Sequence, residues 1–444
     1  MRRKLTWTLA VLGLVFTGAW MACTAKYSAQ YNGLVVVPSR DDQVLQSFSL
    51  NLSNGEAVQI NNPSFPLING VLASIILNPA GDYAFTIITS NPSLAGSSTG
   101  IGSSQIVSDG KLTGPTLKPL NNAKVTVPNN PTPESVPVNP VALAIDSAGK
   151  YLFVADSATM DSAGNQVPGA VSVFSIGGNG NLTEVGGSPF VLPVNGIAAS
   201  PPNPCTATFK CSSASALAVT PTIYPTQYAV CQLQSAPSTE NLYVTDSVNY
   251  VVLNYSVNLS TGALSLVPIA GTVGVPTGTA PSGVAVDPCN RFVYVSNSVS
   301  NDVSAYTICN TVSMPNCPLA DFRLLPVTGS PYSTGDAPGP LSVDAYGNFL
   351  YVVATGSSYI NAFRIGSANG SLVALSPATY ATSTALGQDS GSNSIAIRSD
   401  DSFLFVANDN TQTLSEFGLA PATGTLSPES PVSTFNYPSG VAVK

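Results

Sequence analysis

There is no histidine among the 444 residues. That absence removes whole classes of chemistry. A Ser-His-Asp or Cys-His nucleophile apparatus cannot be assembled within the chain. Neither can a histidine-ligated zinc or iron centre. Charge is scarce as well, with Asp, Glu, Lys and Arg making up only 9%. The net charge of −8 repels a polyanion, so nucleic acid is a poor partner. Present in quantity are glycine (37), proline (36) and apolar residues at 44%. Little charge with much Gly, Pro, Ser, Thr and Asn points to many short strands joined by turns. The apolar fraction is enough for a core and argues against disorder.

The N-terminus reads as an export signal. Arg2-Arg3-Lys4 precede an apolar run from Leu5 to Ala22, a basic region followed by a hydrophobic one with small residues near its end. In "WMAC" the residue before Cys23 is small, as in a bacterial lipobox, although Trp20 stands where Leu is usual. The expectation is a signal over 1–22, lipidation at Cys23 and a linker over 23–30. Ordinary cleavage and an uncleaved anchor are the alternatives. Losing Arg2, Arg3 and Lys4 takes the net charge from −8 to −11. The remaining cysteines, Cys205, Cys211, Cys231, Cys289, Cys309 and Cys317, form an even set, which in an exported protein suggests disulfides. Cys205–Cys211 and Cys309–Cys317 are close enough for local loops, which would leave Cys231 with Cys289. Buried free thiols are the other reading, and the spacings match no zinc motif.

Self-similarity organises the rest. "PVALAIDSAGKYLFVADS" at 140–157, "PSGVAVDPCNRFVYVSNS" at 281–298, "PGPLSVDAYGNFLYVVAT" at 338–355 and "SNSIAIRSDDSFLFVAND" at 392–409 share one pattern. An apolar strand and a short turn lead to a second strand opening on Tyr151, Phe292, Phe349 or Phe403. A weaker copy lies at 72–89, and another is split between 215–222 and 240–247. A second hairpin follows each copy, as in "VVLNYSVNLSTGALSLV" at 251–267, with Asn-Gly or Thr-Gly supplying the turn. Four antiparallel strands in about 50 residues is the size of a propeller blade. Taking Val35, Phe85, Phe153, Tyr243, Tyr294, Tyr351 and Phe405 as equivalent gives an all-β, seven-bladed β-propeller over 31–444. Insertions are expected near 91–137 and 195–239. The C-terminal "YPSGVAVK" repeats the opening of the 281–298 unit, whereas the copy at 31–60 lacks its first strand. Val441–Val443 are therefore expected beside Leu34–Val37, closing the ring and removing open sheet edges.

The copies around "VAVDPCNRFVYVSN" and the hairpins that follow resemble the YVTN-type and lactonase-type seven-bladed propellers of bacteria. That resemblance implies a fold firmly and a function weakly, because propellers host unrelated activities. Its hydrolase branch implies His, Arg and Glu side chains in the central channel, and here no histidine exists to fill such a role. "GSSTG" at Gly96–Gly100 and "SAGK" at Ser147–Lys150 match hydrolase motifs in letters only. The first lacks a strand-to-helix context and the second falls in a turn of the repeat.

One position recurs at the end of the second strand: Asp156, Asp246, Asn297 and Asn408, with Pro38, Ile88 and Ala354 in the other copies. Such residues could ring a ligand or a cation such as Ca²⁺ at the channel mouth. Asp and Asn are also favoured wherever a strand enters a turn. Arg40, Asp41 and Asp42 add charge at the same point. No catalytic residue, metal or cofactor follows from the sequence. The expected function is an exported envelope propeller, in the periplasm or on the outer membrane as a lipoprotein. It would act as a monomeric binding scaffold for an envelope protein or a small carbohydrate-like ligand, touching membrane only through its anchor. The alternative is a lactonase-like hydrolase of the 6-phosphogluconolactonase type, opening a sugar lactone. An enzyme should gather carboxylates and an arginine at one channel mouth, whereas a scaffold should display wide polar loops.

Overall fold

The structure is a computed structural model. It describes residues 33–444 apart from 61–64, 67–69, 92–97, 126–133, 137, 162–163, 165, 194–204, 206–209, 222–238, 268–272, 311–316, 318–320, 383–390 and 435. The expected signal at 1–22, Cys23 and Cys231 lie outside the described residues. Among those described there is no helix.

Six blades are continuous in sequence, spanning 71–119, 139–191, 214–276, 281–333, 338–381 and 392–433; they are numbered 1 to 6 here. Each is a four-stranded antiparallel meander, and in four of them a short further piece extends the outer edge. Blade 7 is made from both ends of the described chain. Its strands are Gly33–Ser39, Val44–Leu50 and Ala57–Gln59, and its innermost strand is Ala442–Val443. Val35 pairs with Val443 and Val36 with Ala442. The Lys444 amide donates to the Leu34 carbonyl at 2.9 Å, and the Arg40 amide to that of Tyr437 at 2.9 Å. The expected closure is therefore present, with the regular strand confined to Ala442–Val443.

Two sequence expectations need correction. Residues 91–137 are not one insertion. Gly100–Ile106 and Leu112–Pro119 are the third and outer strands of blade 1. Their small and polar residues lack the aromatic that marks other third strands, so the repeat was hidden there. In blade 7 the equivalence is shifted by one residue. Ala442 faces Val36 as Ala396 faces Phe405, so Val36 and Ser39, not Val35 and Pro38, occupy the repeat positions. A run of three valines carries no mark of register, and a one-residue slip moves every side chain to the other face.

Each joint between neighbouring blades carries its own apolar cluster. Tyr151 and Phe153 of blade 2 pack with Leu242 and Val244 of blade 3. Phe403 and Phe405 of blade 6 pack with Val35 and Phe48 of blade 7. Where the second strand opens on an aromatic (Tyr83, Tyr151, Phe292, Phe349 and Phe403), the ring has a specific seat, the glycine in the third-to-outer turn of the next blade. A Cβ on Gly424 would lie 2.3 Å from the Phe349 ring, one on Gly370 2.5 Å from Phe292, and one on Gly262 2.7 Å from Tyr151. These glycines also have φ of 72–75°, where any side chain is strained. Polar bolts reinforce three joints. A bulge in the inner strand presents Ser215, Ser282 or Asn393 to the next blade. Ser215 Oγ donates to Pro281 O and Ser282 Oγ to Pro338 O, both at 2.6 Å, and Asn393 Nδ2 to Pro438 O at 2.8 Å.

Disulfides join Cys205 to Cys211 and Cys309 to Cys317. Cys289 is also disulfide-bonded, and Cys231, its expected partner, lies outside the described residues.

Candidate active site

The strand-end residues take equivalent places in the repeat and are buried, with Asp156 Oδ1 and Asn297 Oδ1 lacking a hydrogen-bond partner among the described residues. Asp156, Asp246, Asn297 and Asn408 are all at most 1% exposed. Asp246 Oδ1 accepts from the backbone amides of Ser213, Val248 and Asn249. Asn297 Nδ2 donates to Asp302 Oδ1 at 2.6 Å and to Ser304 Oγ at 3.0 Å. Asn408 Nδ2 donates to Ser415 Oγ at 2.7 Å, while its Oδ1 accepts from Ser392 Oγ at 2.7 Å. Asp156 Oδ2 accepts from Ser172 Oγ at 2.7 Å. Ser39, the true fifth member, donates to Asn436 O at 2.6 Å. These hydrogen bonds tie strand ends to neighbouring turns within the wall. Among the described residues no three Asp, Glu or Cys side chains converge as a metal cage.

One position further along, the chemistry changes. Arg40 follows Ser39 in blade 7, and Asp409 follows Asn408 in blade 6. They are equivalent residues of adjacent blades, at the end where the inner strands begin. Arg40 Nη1 lies 3.6 Å from Asp409 Oδ2, and Arg40 Nε donates to Asp41 Oδ1 at 3.3 Å. The guanidinium carbon sits 4.8 Å from the centre of the Tyr437 ring, a cation–π seat. Asp42 is occupied elsewhere, accepting from the Asn436 amide at 2.8 Å and its Nδ2 at 3.1 Å. Gly391 makes room for Asp409, since a Cβ there would fall 1.9 Å from Asp409 Oδ1. Side-chain exposure is 40% for Arg40 and 21% for Asp409, so both reach solvent. The sequence flagged Arg40, Asp41 and Asp42 but not Asp409. Superimposing the repeats in correct register would have found it.

A second arginine is structural. Arg291 and Asp287 form a buried pair with Nη2–Oδ1 at 2.8 Å, and Arg291 Nη2 also donates to Gly347 O in blade 5 at 2.9 Å. Ser147–Lys150 form a turn with Gly149 at φ 67°.

The fold and its joints define a seven-bladed β-propeller. The family model described as lactonase, seven-bladed β-propeller, matches residues 232–385 and 323–444. The chain is a propeller of that lactonase type. Its fold is similar to a putative 6-phosphogluconolactonase from Bacteroides fragilis, at 15% identity with a TM-score of 0.61 over 93% of this chain and 98% of that one. It is also similar to the periplasmic gluconolactonase of Pseudomonas aeruginosa, at 16% identity and a TM-score of 0.62 over the same shares. At such identities the likeness is one of fold. No curated protein matches the chain.

Proposed function

We propose that the protein is an exported lactone hydrolase that opens a neutral sugar-acid lactone at the blade 6–7 mouth. The observation that carries this is the placing of Arg40 between Asp41, Asp409 and the Tyr437 ring. Carboxylates and an arginine gathered at one mouth are what an enzyme needs and a scaffold does not. The lactonase-type fold supports the same reading over the scaffold one.

With no histidine, the base is a carboxylate. Asp409 takes a proton from water as the water oxygen attacks the lactone carbonyl carbon. The Arg40 guanidinium hydrogen-bonds the resulting oxyanion. Collapse breaks the ring C–O bond, the leaving alkoxide takes the proton from Asp409, and a hydroxy acid is released. Asp41 orients the guanidinium through Nε, and Tyr437 holds it flat. Asp41, Asp42 and Asp409 outnumber the single guanidinium, so a phosphorylated lactone is repelled and a neutral one is not. The leader pattern at 1–22 and the Cys205–Cys211 and Cys309–Cys317 disulfides support export. Mass analysis of Cys23 for acyl chains tests the anchor.

The function is tested by following acid release from glucono-δ-lactone, galactonolactone and 6-phosphogluconolactone. Turnover of the neutral lactones above their spontaneous opening, and little of the phosphorylated one, is expected. No acceleration of any of them would overturn the proposal.

A further inference from the structure

A groove of about 840 Å³ runs between the outer strand of blade 5 and the third strand of blade 6. It begins at Asn410, the residue after Asp409, so it is continuous in sequence with the proposed mouth. Blade 5 supplies Thr379 and Tyr380, and blade 6 supplies Gln412, Thr413, Pro428 and Glu429. No Lys or Arg lines it, so it does not suit a phosphate or a polyanion. None of the large exposed apolar side chains lines it either, so it lacks the anchors of a hydrophobic peptide or lipid site. What remains is hydroxyls, the Asn410 and Gln412 amides and the Glu416 and Glu429 carboxylates, alongside tyrosine, phenylalanine and proline rings. Tyr380 is 8% exposed with its hydroxyl buried, so the polar groups offered to the groove are those of Thr379, Thr413 and Glu429. The volume lies within the range of sites that hold a ligand of two or three rings.

We propose that this groove is a saccharide subsite, taking a neutral glycosyl extension of the lactone held at Arg40 and Asp409. The link to a lactone rests on the hydrolase reading, but the affinity of the groove for sugar does not. Calorimetric titration of the full chain with cellobiose, maltose and diacetylchitobiose, none of them a lactone, separates the two. Saturable binding of at least one is expected. Thr379→Ala and Glu429→Ala should each weaken it about fivefold, the worth of one hydrogen bond. Arg40→Ala should leave it unchanged. The groove is overturned if none of the three sugars binds, if binding ignores both groove variants, or if Arg40→Ala abolishes it. In the second arm, a disaccharide-derived aldonolactone should exceed glucono-δ-lactone in kcat/KM about tenfold, and Thr379→Ala should erase that preference while sparing glucono-δ-lactone. Equal values in the unmodified protein would overturn the extension. Absence of turnover on every lactone would sink the hydrolase reading, while the titration still decides the groove.

Discussion

Asp156, Glu240, Asp344 and Glu416 are buried carboxyls, and none takes part in an ion pair among the described residues. Burial is the main cause of their shifts, raising Asp156 and Asp344 to about 7 and Glu240 and Glu416 to about 8. Neighbouring acids add to it, with Glu184 near Asp156 and Glu429 near Glu416. The folded values lie above the unfolded ones of about 4. Between those limits the folded state therefore binds more protons, and stability falls as pH rises from about 4 towards 8. Tm is expected to be higher at pH 5 than at pH 8, and Glu240→Gln should raise the pH 8 value and flatten the slope. A Tm that rises from pH 5 to pH 8 would contradict this. Asp156 stood out in the sequence as a strand-end residue, but its lack of a cationic partner, like that of Glu240, did not. Glu240 takes the repeat position held by Arg291 and Lys150, and only the packing shows that no cation accompanies it.

At the scale of the blade, the sequence showed two signatures, an aromatic opening the second strand and a glycine in the second hairpin. The structure shows that they are one contact, made between neighbours. Phe349 and Gly424 are 75 positions apart and meet because blade 6 follows blade 5. Gly424→Ala should cost about 3 kcal/mol, from left-handed strain and overpacking against the Phe349 ring, read as a lower Tm. An unchanged Tm would show that the ring yields freely. The bolts from Ser215, Ser282 and Asn393 escaped sequence reading because they depend on a bulge that re-aims a side chain. Their partners are backbone carbonyls, which leave no mark in sequence. All seven blades were evident from hydrophobic alternation and turn chemistry, four of them as clear copies, whereas the third and outer strands of blade 1 were not, since Gly, Ser and Thr replace the marker residues.

At the scale of the whole molecule, the ring depends on a short two-ended blade. Only Ala442–Val443 pair regularly with Val35–Val36, aided by the Ser39–Pro438 bridge. Removing residues 437–444 takes away that strand and the Tyr437 seat of Arg40, and leaves the inner edge of blade 7 unpaired. The expected result is a lower and broader unfolding transition, read by calorimetry. An unaltered melt would mean that the ring holds without its clasp. Closure was legible because the last residues repeat an opening phrase of the blade. It also does more than hold the ring, because it brings the turn of blade 7 beside that of blade 6 and so places Arg40 against Asp409. The central claim is that this pair opens a lactone, and Arg40→Ala in the full chain tests it most directly. Loss of the oxyanion donor should lower kcat on glucono-δ-lactone about 10²–10³-fold with the Tm little changed. A variant that turns over as fast as the unmodified protein would contradict the account.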